Sequence, residues 1–251
     1  MKPEDSYYGH LRMPLLGLIN GSPKRVLEIG CGHGQALLFA KHHLSAEYVI
    51  GVELVPEVAE IARRNPELDT VITGNIEDIR LDFPPGYFDL IIAGHVLEHV
   101  KDPWSVAQQL RSLLGSNGQF IGSLPNVRNA RISLPLILFG KWQYTEEGIL
   151  DWTHTKFFTK NTIHDLLLTA GFVVDKIEPE FFARSGWLNK FTFGIFSDLL
   201  CFAYNFSARQ IPDAFTSAGR IEFEDRSHQA VLGDGALRFL GIQAQPNRTK
   251  S

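Results

Sequence analysis

Cysteine is almost missing from this chain of 251 residues: Cys31 and Cys201 are the two it has. Two thiols so far apart in sequence make no disulfide framework and no metal-ligand spacing, so the expected metal complement is none. An excess of positive charge is missing too. Lys and Arg number 24 against 28 Asp and Glu, and the net charge is −4 with no basic cluster. That balance argues against a nucleic-acid backbone as the main partner. No stretch reaches the roughly 18 consecutive apolar residues of a membrane-spanning helix. The opening Met1-Lys2-Pro3-Glu4-Asp5 lacks the apolar core of a signal peptide. Repeats and low-complexity segments are absent as well. A globular chain in a reducing cytoplasm is the expectation, and 18 Phe with ordinary charge content exclude disorder.

What is present is a rhythm. Short apolar runs at 25–30, 48–52, 69–73, 88–93 and 119–124 alternate with helical stretches near 34–43, 56–64 and 103–114. Strands alternating with helices at this spacing predict an α/β, doubly wound, mostly parallel sheet. We expect one domain over 1–251. Residues 20–124 would form its cofactor-binding core and 125–160 an insertion over the acceptor site. Residues 161–251 would complete the sheet and add a helical elaboration. Residues 6–19 are expected to form a short helix against the domain or over its ligand cleft. A helix is expected from Thr159 or Asn161 through Leu168, then strands at 172–177 and 237–244 and a mobile tail from Pro246. Residues 207–234 read as polar with turn signals. The apolar run 191–202 reads first as a buried helix, and an interfacial helix is the alternative.

Ligands in such sheets bind beyond the carboxyl ends of the strands, so the residues just after each strand carry the functional reading. After the first strand comes Glu28-Ile29-Gly30-Cys31-Gly32-His33-Gly34. Glycines there admit positive φ and a close backbone approach to a ligand, and the N–H groups of the next helix point at it. The dinucleotide fingerprint G-x-G-x-x-G would place its third glycine at position 35, which is Gln35. Glu53 ends the second strand, where a carboxylate can accept two hydrogen bonds from a ribose diol; Leu54 follows it. Asn75, Ile76 and Glu77, followed by Asp78, come after the third strand, where an adenine edge would be read.

The pattern E-x-G-x-G-x-G at Glu28–Gly34, the acidic Glu53, the block Phe88–Val100 with its Leu97-Glu98-His99-Val100 ending, and Gly118-Gln119-Phe120 occur in order. Together they resemble the class I S-adenosylmethionine-dependent methyltransferases over about residues 20–180. The resemblance implies a seven-stranded Rossmann-like sheet with S-adenosylmethionine as cofactor. It implies that Gly30, Gly32 and Gly34 line the methionine part and that Glu53 holds the ribose, with Glu28, Cys31 and Leu54 also in the cofactor site. Asn75, Ile76 and Glu77 would face the adenine, although Asn75 replaces the family's usual acid. Ala93, Gly94 and His95 would flank the reactive methyl. Pro125-Asn126-Val127-Arg128 and Asp151-Trp152-Thr153-His154 with Phe157-Phe158-Thr159 are similar to a bacterial subgroup associated with surface-polysaccharide biosynthesis. That similarity implies a sugar or glycan hydroxyl as acceptor, with an amine as the alternative.

A hydroxyl acceptor needs a general base, and histidine suits neutral pH. His95, His99 and His154 are the candidates, with His154, in the insertion, and His95, after the fourth strand, preferred and Asp151 as an orienting carboxylate. His99 is expected to make a structural hydrogen bond. Trp142, Tyr144 and Trp152 would stack on a sugar ring or fill the insertion's core. A homodimer is also considered. The competing functions are a nicotinamide-dependent oxidoreductase, which Gln35 opposes, and a cofactor-binding module without turnover.

Overall fold

The computed structural model describes residues 11–212, together with the backbone of Glu222–Phe223 and Ala230–Val231. The expected strand at 237–244 and the tail from Pro246 lie outside the described residues, as does the start of the expected N-terminal helix. Met1–Gln210 forms one compact unit and Ile211–Ser251 a second, of which a two-stranded antiparallel ribbon pairing Glu222 with Val231 is described.

In the larger unit α1 (Met13–Leu16) is followed by β1 (Arg25–Ile29), α2 (Gln35–Leu44), β2 (Tyr48–Glu53), α3 (Pro56–Arg63), β3 (Thr70–Thr73) and β4 (Phe88–Gly94). Then come α4 (Pro103–Leu113), β5 (Leu114–Pro125), α5 (Ala130–Phe139), α6 (Lys160–Thr169), β6 (Phe172–Glu180), α7 (Ala183–Phe191), α8 (Ser197–Leu200) and β7 (Ala203–Gln210). The seven strands lie in the order β3-β2-β1-β4-β5-β7-β6. β7 runs antiparallel to both of its neighbours and the remaining pairs are parallel. The chain works outward through β1, β2 and β3, then returns to place β4 on the other side of β1. That reversal opens a crevice at the carboxyl ends of β1 and β4.

Strand periodicity builds the two apolar layers. Val26 packs into one layer and Leu27 into the other; Leu90, Ile91 and Ile92 alternate in the same way. Each such side chain, fully buried, contributes roughly 1.5–3 kcal/mol. Helix starts are marked in the sequence. Pro56 and Pro103 occupy first turns, where the missing N–H is not needed. The Asp102 side chain accepts from the Ser105 N–H at 3.0 Å, and Thr159 and Thr162 form a reciprocal capping box on α6.

Two expectations fail in the C-terminal third. The strand inserted beside β5 is Ala203–Gln210, which begins just after the apolar run 191–202 and runs into the stretch 207–234 that reads as polar with turn signals. Its polar members Asn205 and Ser207 are buried and find partners on the neighbouring strands, Asn205 donating to Glu180 and Ser207 accepting from Gln119. Gly122 makes room for it: a Cβ there would lie 2.3 Å from Phe206 Cζ. The run 191–202 is not one buried helix. It breaks at Phe193 and Gly194, both with positive φ, and Phe193 and Ile195 are 93% and 77% exposed. No helix among the described residues is long and apolar enough to cross a membrane.

Candidate active site

The β1–α2 turn sets the site. Gly30, Gly32 and Gly34 have φ of 68°, 54° and 82°. A Cβ on Gly30 would sit 2.7 Å from Val96 Cγ2, and one on Gly34 would sit 2.4 Å from Leu68 Cδ1. Gly30 and Gly34 are therefore required twice, by backbone conformation and by space, and Gly32 by conformation. Gly30 N–H and Cys31 N–H both donate to the Val52 carbonyl, tying the loop to the end of β2. Cys31 is buried and its Sγ packs where a Cβ on Gly51 would be. Burial, then the charges of Glu28 and Glu53, push its thiol well up, so it fills space without reacting.

Glu53 closes the loop from the other side. Its carboxylate accepts the Gly32 N–H on Oε2 and the Val55 N–H on Oε1, both at 2.9 Å. Glu28 is the reverse case. Its Oε2 is buried without a hydrogen-bond partner. Burial raises its pKa well above the ordinary carboxylate range, the charge of Glu53 adds to this, and Arg12 opposes it.

These groups line a cavity of about 460 Å³ at the crevice. Of the residues expected to hold a cofactor, it takes in Glu28, Gly30, Cys31, Gly32, Glu53, Leu54, Asn75, Ile76, Glu77, Gly94 and His95. Gly34 caps α2 and acts through space instead of lining the wall, and Ala93 is buried within β4. Asn75 accepts the Glu77 N–H and donates to Asp78, so the loop after β3 holds itself in shape. Glu77 accepts the Lys101 and Asp102 N–H groups and joins that loop to the start of α4. Sequence reasoning did not find Arg12, His99 or Thr153 on this wall. The block Leu97-Glu98-His99-Val100 was visible in the sequence, but which of its members faces inward depends on the turn after β4.

That turn is strained. His95, a residue with a Cβ, holds φ of 56°, and its N–H donates to the Ser123 carbonyl. Both ring nitrogens are engaged: Nδ1 with Glu98 Oε1 and Nε2 with Ser123 Oγ, each at 3.0 Å. Burial alone would raise the Glu98 carboxyl. The His95 hydrogen bond and the nearby histidine charges outweigh it and hold the group below its usual value. His95 is thus a fully bonded part of a buried pair.

A second cavity of about 500 Å³ opens beyond it, walled by Pro125, Asn129 and, from the insertion, Gln143, Thr145, Ile149, Leu150, Asp151 and His154. Arg12, His95 and His99 line both cavities. His154 lines the second, and its Nδ1 meets the Ile149 carbonyl at 3.0 Å. Asp151 does not touch the His154 ring. It accepts the N–H and hydroxyl of Thr153, whose Oγ1 meets His99 Nδ1 at 3.0 Å. Trp142 packs edge-on against Phe157, while Tyr144 and Trp152 are largely exposed; none of the three lines the cavity.

The comparisons with known proteins agree with this geometry. A family model described as a methyltransferase domain matches residues 5–177. The chain is 32% identical over 151 residues to a ubiquinone biosynthesis O-methyltransferase of Cereibacter sphaeroides, covering 59% of each chain. It is 29% identical over 135 residues to the Neisseria meningitidis enzyme of that name, covering 51% of this chain and 56% of that one. The chain thus spans less than two thirds of the length of these curated relatives. Among solved structures, an S-adenosylmethionine-dependent methyltransferase from Mesorhizobium loti is similar with TM-score 0.56 and 18% identity, over 78% of this chain and 96% of that one. A second, from Archaeoglobus fulgidus, gives TM-score 0.56 and 21% identity over 79% and 89%. At such identities the structural likeness speaks for the fold, while the family model speaks for the sequence. The chain belongs to the methyltransferase-domain family.

Proposed function

We propose that this chain transfers a methyl group from S-adenosylmethionine to a hydroxyl oxygen of a small acceptor. The observation that carries the reading is the meeting of two cavities at Arg12, His95 and His99. The first cavity suits the cofactor. Its turn has no room for a side chain at Gly30, Glu28 and Glu53 set two carboxyl groups on its wall for a cation and a diol to meet, and Glu28 Oε2 has no hydrogen-bond partner. Gly30–Gly32 would hold the methionine part, Glu53 the ribose and Asn75–Glu77 the adenine. When bound, the cofactor supplies an electrophilic methyl on a sulfonium, whose C–S bond leaves its electron pair on sulfur.

The protein's own task is alignment and proton removal. His154 Nδ1 faces a carbonyl, which only accepts, so Nδ1 carries the hydrogen and Nε2 the lone pair. Nε2 can then take the proton of a hydroxyl in the second cavity. His95, with both nitrogens bonded, orients the turn and takes no proton. The curated relatives are named O-methyltransferases, which supports an oxygen acceptor over an amine. A sugar or glycan hydroxyl and a phenolic hydroxyl are both open to this chemistry. A homodimer through the exposed apolar side chains of α5 and α7 belongs to the same reading.

Calorimetric titration with S-adenosylhomocysteine should give saturable binding well below millimolar, and labelled methyl should pass from the cofactor into small sugars or phenols. Absence of saturable binding would overturn the reading. Transfer into amines alone would replace its acceptor.

A further inference from the structure

From the geometry we infer that Glu98, His99 and His154 form a binding site for a divalent transition-metal ion at the junction of the two cavities. The inference rests on the proposed function for the ion's role, though not for its binding. One ligand atom from each of the three residues lies within 4.8 Å of the others. In a tetrahedral site with bonds of about 2.0–2.2 Å, ligands sit about 3.3–3.6 Å apart. The set therefore closes on an ion with shifts of about an ångström, within reach of side-chain rotation.

Hydrogen bonding decides what these atoms can do. His154 Nδ1–H is held by the Ile149 carbonyl, so Nε2 bears the lone pair. Thr153 Oγ1 gives its hydrogen to Asp151 Oδ1, at 2.7 Å, and so can only accept from His99 Nδ1, at 3.0 Å. His99 Nδ1 is therefore protonated as well, and its Nε2 also bears a lone pair. The two rings meet edge to face, centroids 4.6 Å apart. Glu98 is fully buried; Oε1 takes the His95 hydrogen bond and Oε2 has no partner. Each of the three residues thus carries an acceptor, Nε2 on both histidines and Oε2 on Glu98. A buried carboxylate oxygen left this way is costly, and a cation is what satisfies all three.

Each ligand is also braced as metal ligands are. One histidine donates to a backbone carbonyl, the other to a hydroxyl backed by a carboxylate, and Glu98 is oriented by His95. Two histidines and one carboxylate leave a fourth position open, a set that suits Zn²⁺, Co²⁺ or Fe²⁺ over the hard, oxygen-seeking cations. All three residues line the second cavity, where an open position would meet an acceptor. An acceptor hydroxyl bound there loses its proton to water, because the ion lowers its pKa. Its oxygen then forms the O–CH₃ bond as the methyl–sulfur bond breaks and the electron pair stays on sulfur. In that state His154 serves as a ligand, and the ion does the work that a base would otherwise do.

The test uses Co²⁺ alone, titrated into chelator-treated full-length chain and followed by its visible d–d absorption, with dialysis and metal analysis for Zn²⁺. One saturable equivalent with low-symmetry, intense bands is expected. His154→Ala and His99→Ala should lose the bands, and Glu98→Gln should bind at least tenfold more weakly. His95→Gln, which touches no ion, should keep the bands and bind about 10–100-fold more weakly. S-adenosylhomocysteine binding by each variant reports on folding and on the cofactor reading separately. Metal uptake without it would leave the site standing and sink the methyl-transfer reading. Failure of the wild-type chain to take up Co²⁺ or Zn²⁺ at submillimolar concentration would overturn the site, as would unchanged bands in both histidine variants.

Discussion

Glu53→Gln tests the joint between the glycine turn and the second strand. Each Glu53 oxygen accepts one backbone N–H, Gly32 on Oε2 and Val55 on Oε1, at 2.9 Å. The residue is 4% exposed, so water has little access to replace either bond. Glutamine has one carbonyl oxygen, and its amide nitrogen would face a second donor. Leaving one buried N–H unsatisfied costs about 1–3 kcal/mol. At about 2–4 °C per kcal/mol for a chain of this size, the melting temperature of the ligand-free protein should fall by about 2–12 °C. Loss of the charged acceptor for the ribose diol removes a further ~1.5–3 kcal/mol of binding, or one to two orders of magnitude in Kd. Thermal unfolding by circular dichroism and calorimetric titration with S-adenosylhomocysteine read the two effects apart. A melting temperature within a degree of the parent together with unchanged affinity would refute the reasoning. Lowered stability with full affinity would reduce Glu53 to a brace for the loop.

Glu28→Gln should change how stability depends on pH. The Glu28 pKa is raised in the folded chain above its ordinary 4.5, so ionisation weakens the native state as pH climbs from that value toward the raised one. The glutamine variant should match the parent below pH 4.5 and be more stable at neutral pH, as urea unfolding at several pH values would reveal; a constant difference would contradict it. Gly34→Ala should destabilise by about 2–3 kcal/mol, since it combines a left-handed φ with displacement of Leu68, and a variant unfolding at the parent's urea midpoint would contradict the steric account. Ile195→Ser, at a side chain 77% exposed, should leave stability within about 0.5 kcal/mol, and a larger loss would mean that the segment is packed in solution.

The core was legible because its signals are local. A strand buried on both faces is largely apolar along its length, so Val26–Leu27 with Ile29, Val49–Val52 and Leu90–Ala93 announce themselves. A turn that needs left-handed backbone needs glycine, so Gly30, Gly32 and Gly34 do too. Pro56, Pro103 and the Thr159 capping box mark helix starts by the same kind of local chemistry. β7 was not legible. Its buried Asn205 and Ser207 are satisfied by Glu180 on β6 and Gln119 on β5, and nothing in the segment itself says so.

The site divides along the same line. Sequence by itself determined the wall of the first cavity, because the glycine turn and Glu53 lie at strand ends that topology brings to one crevice. Tertiary structure alone decided the acceptor side. It spent both nitrogens of His95 on Glu98 and Ser123, and it turned Asp151 toward Thr153 and away from the His154 ring. It also brought His154 beside His99 and Glu98, more than fifty residues away in the chain. Hydrogen-bond partners and lone-pair directions are properties of three-dimensional neighbours, and sequence spacing carries no record of them.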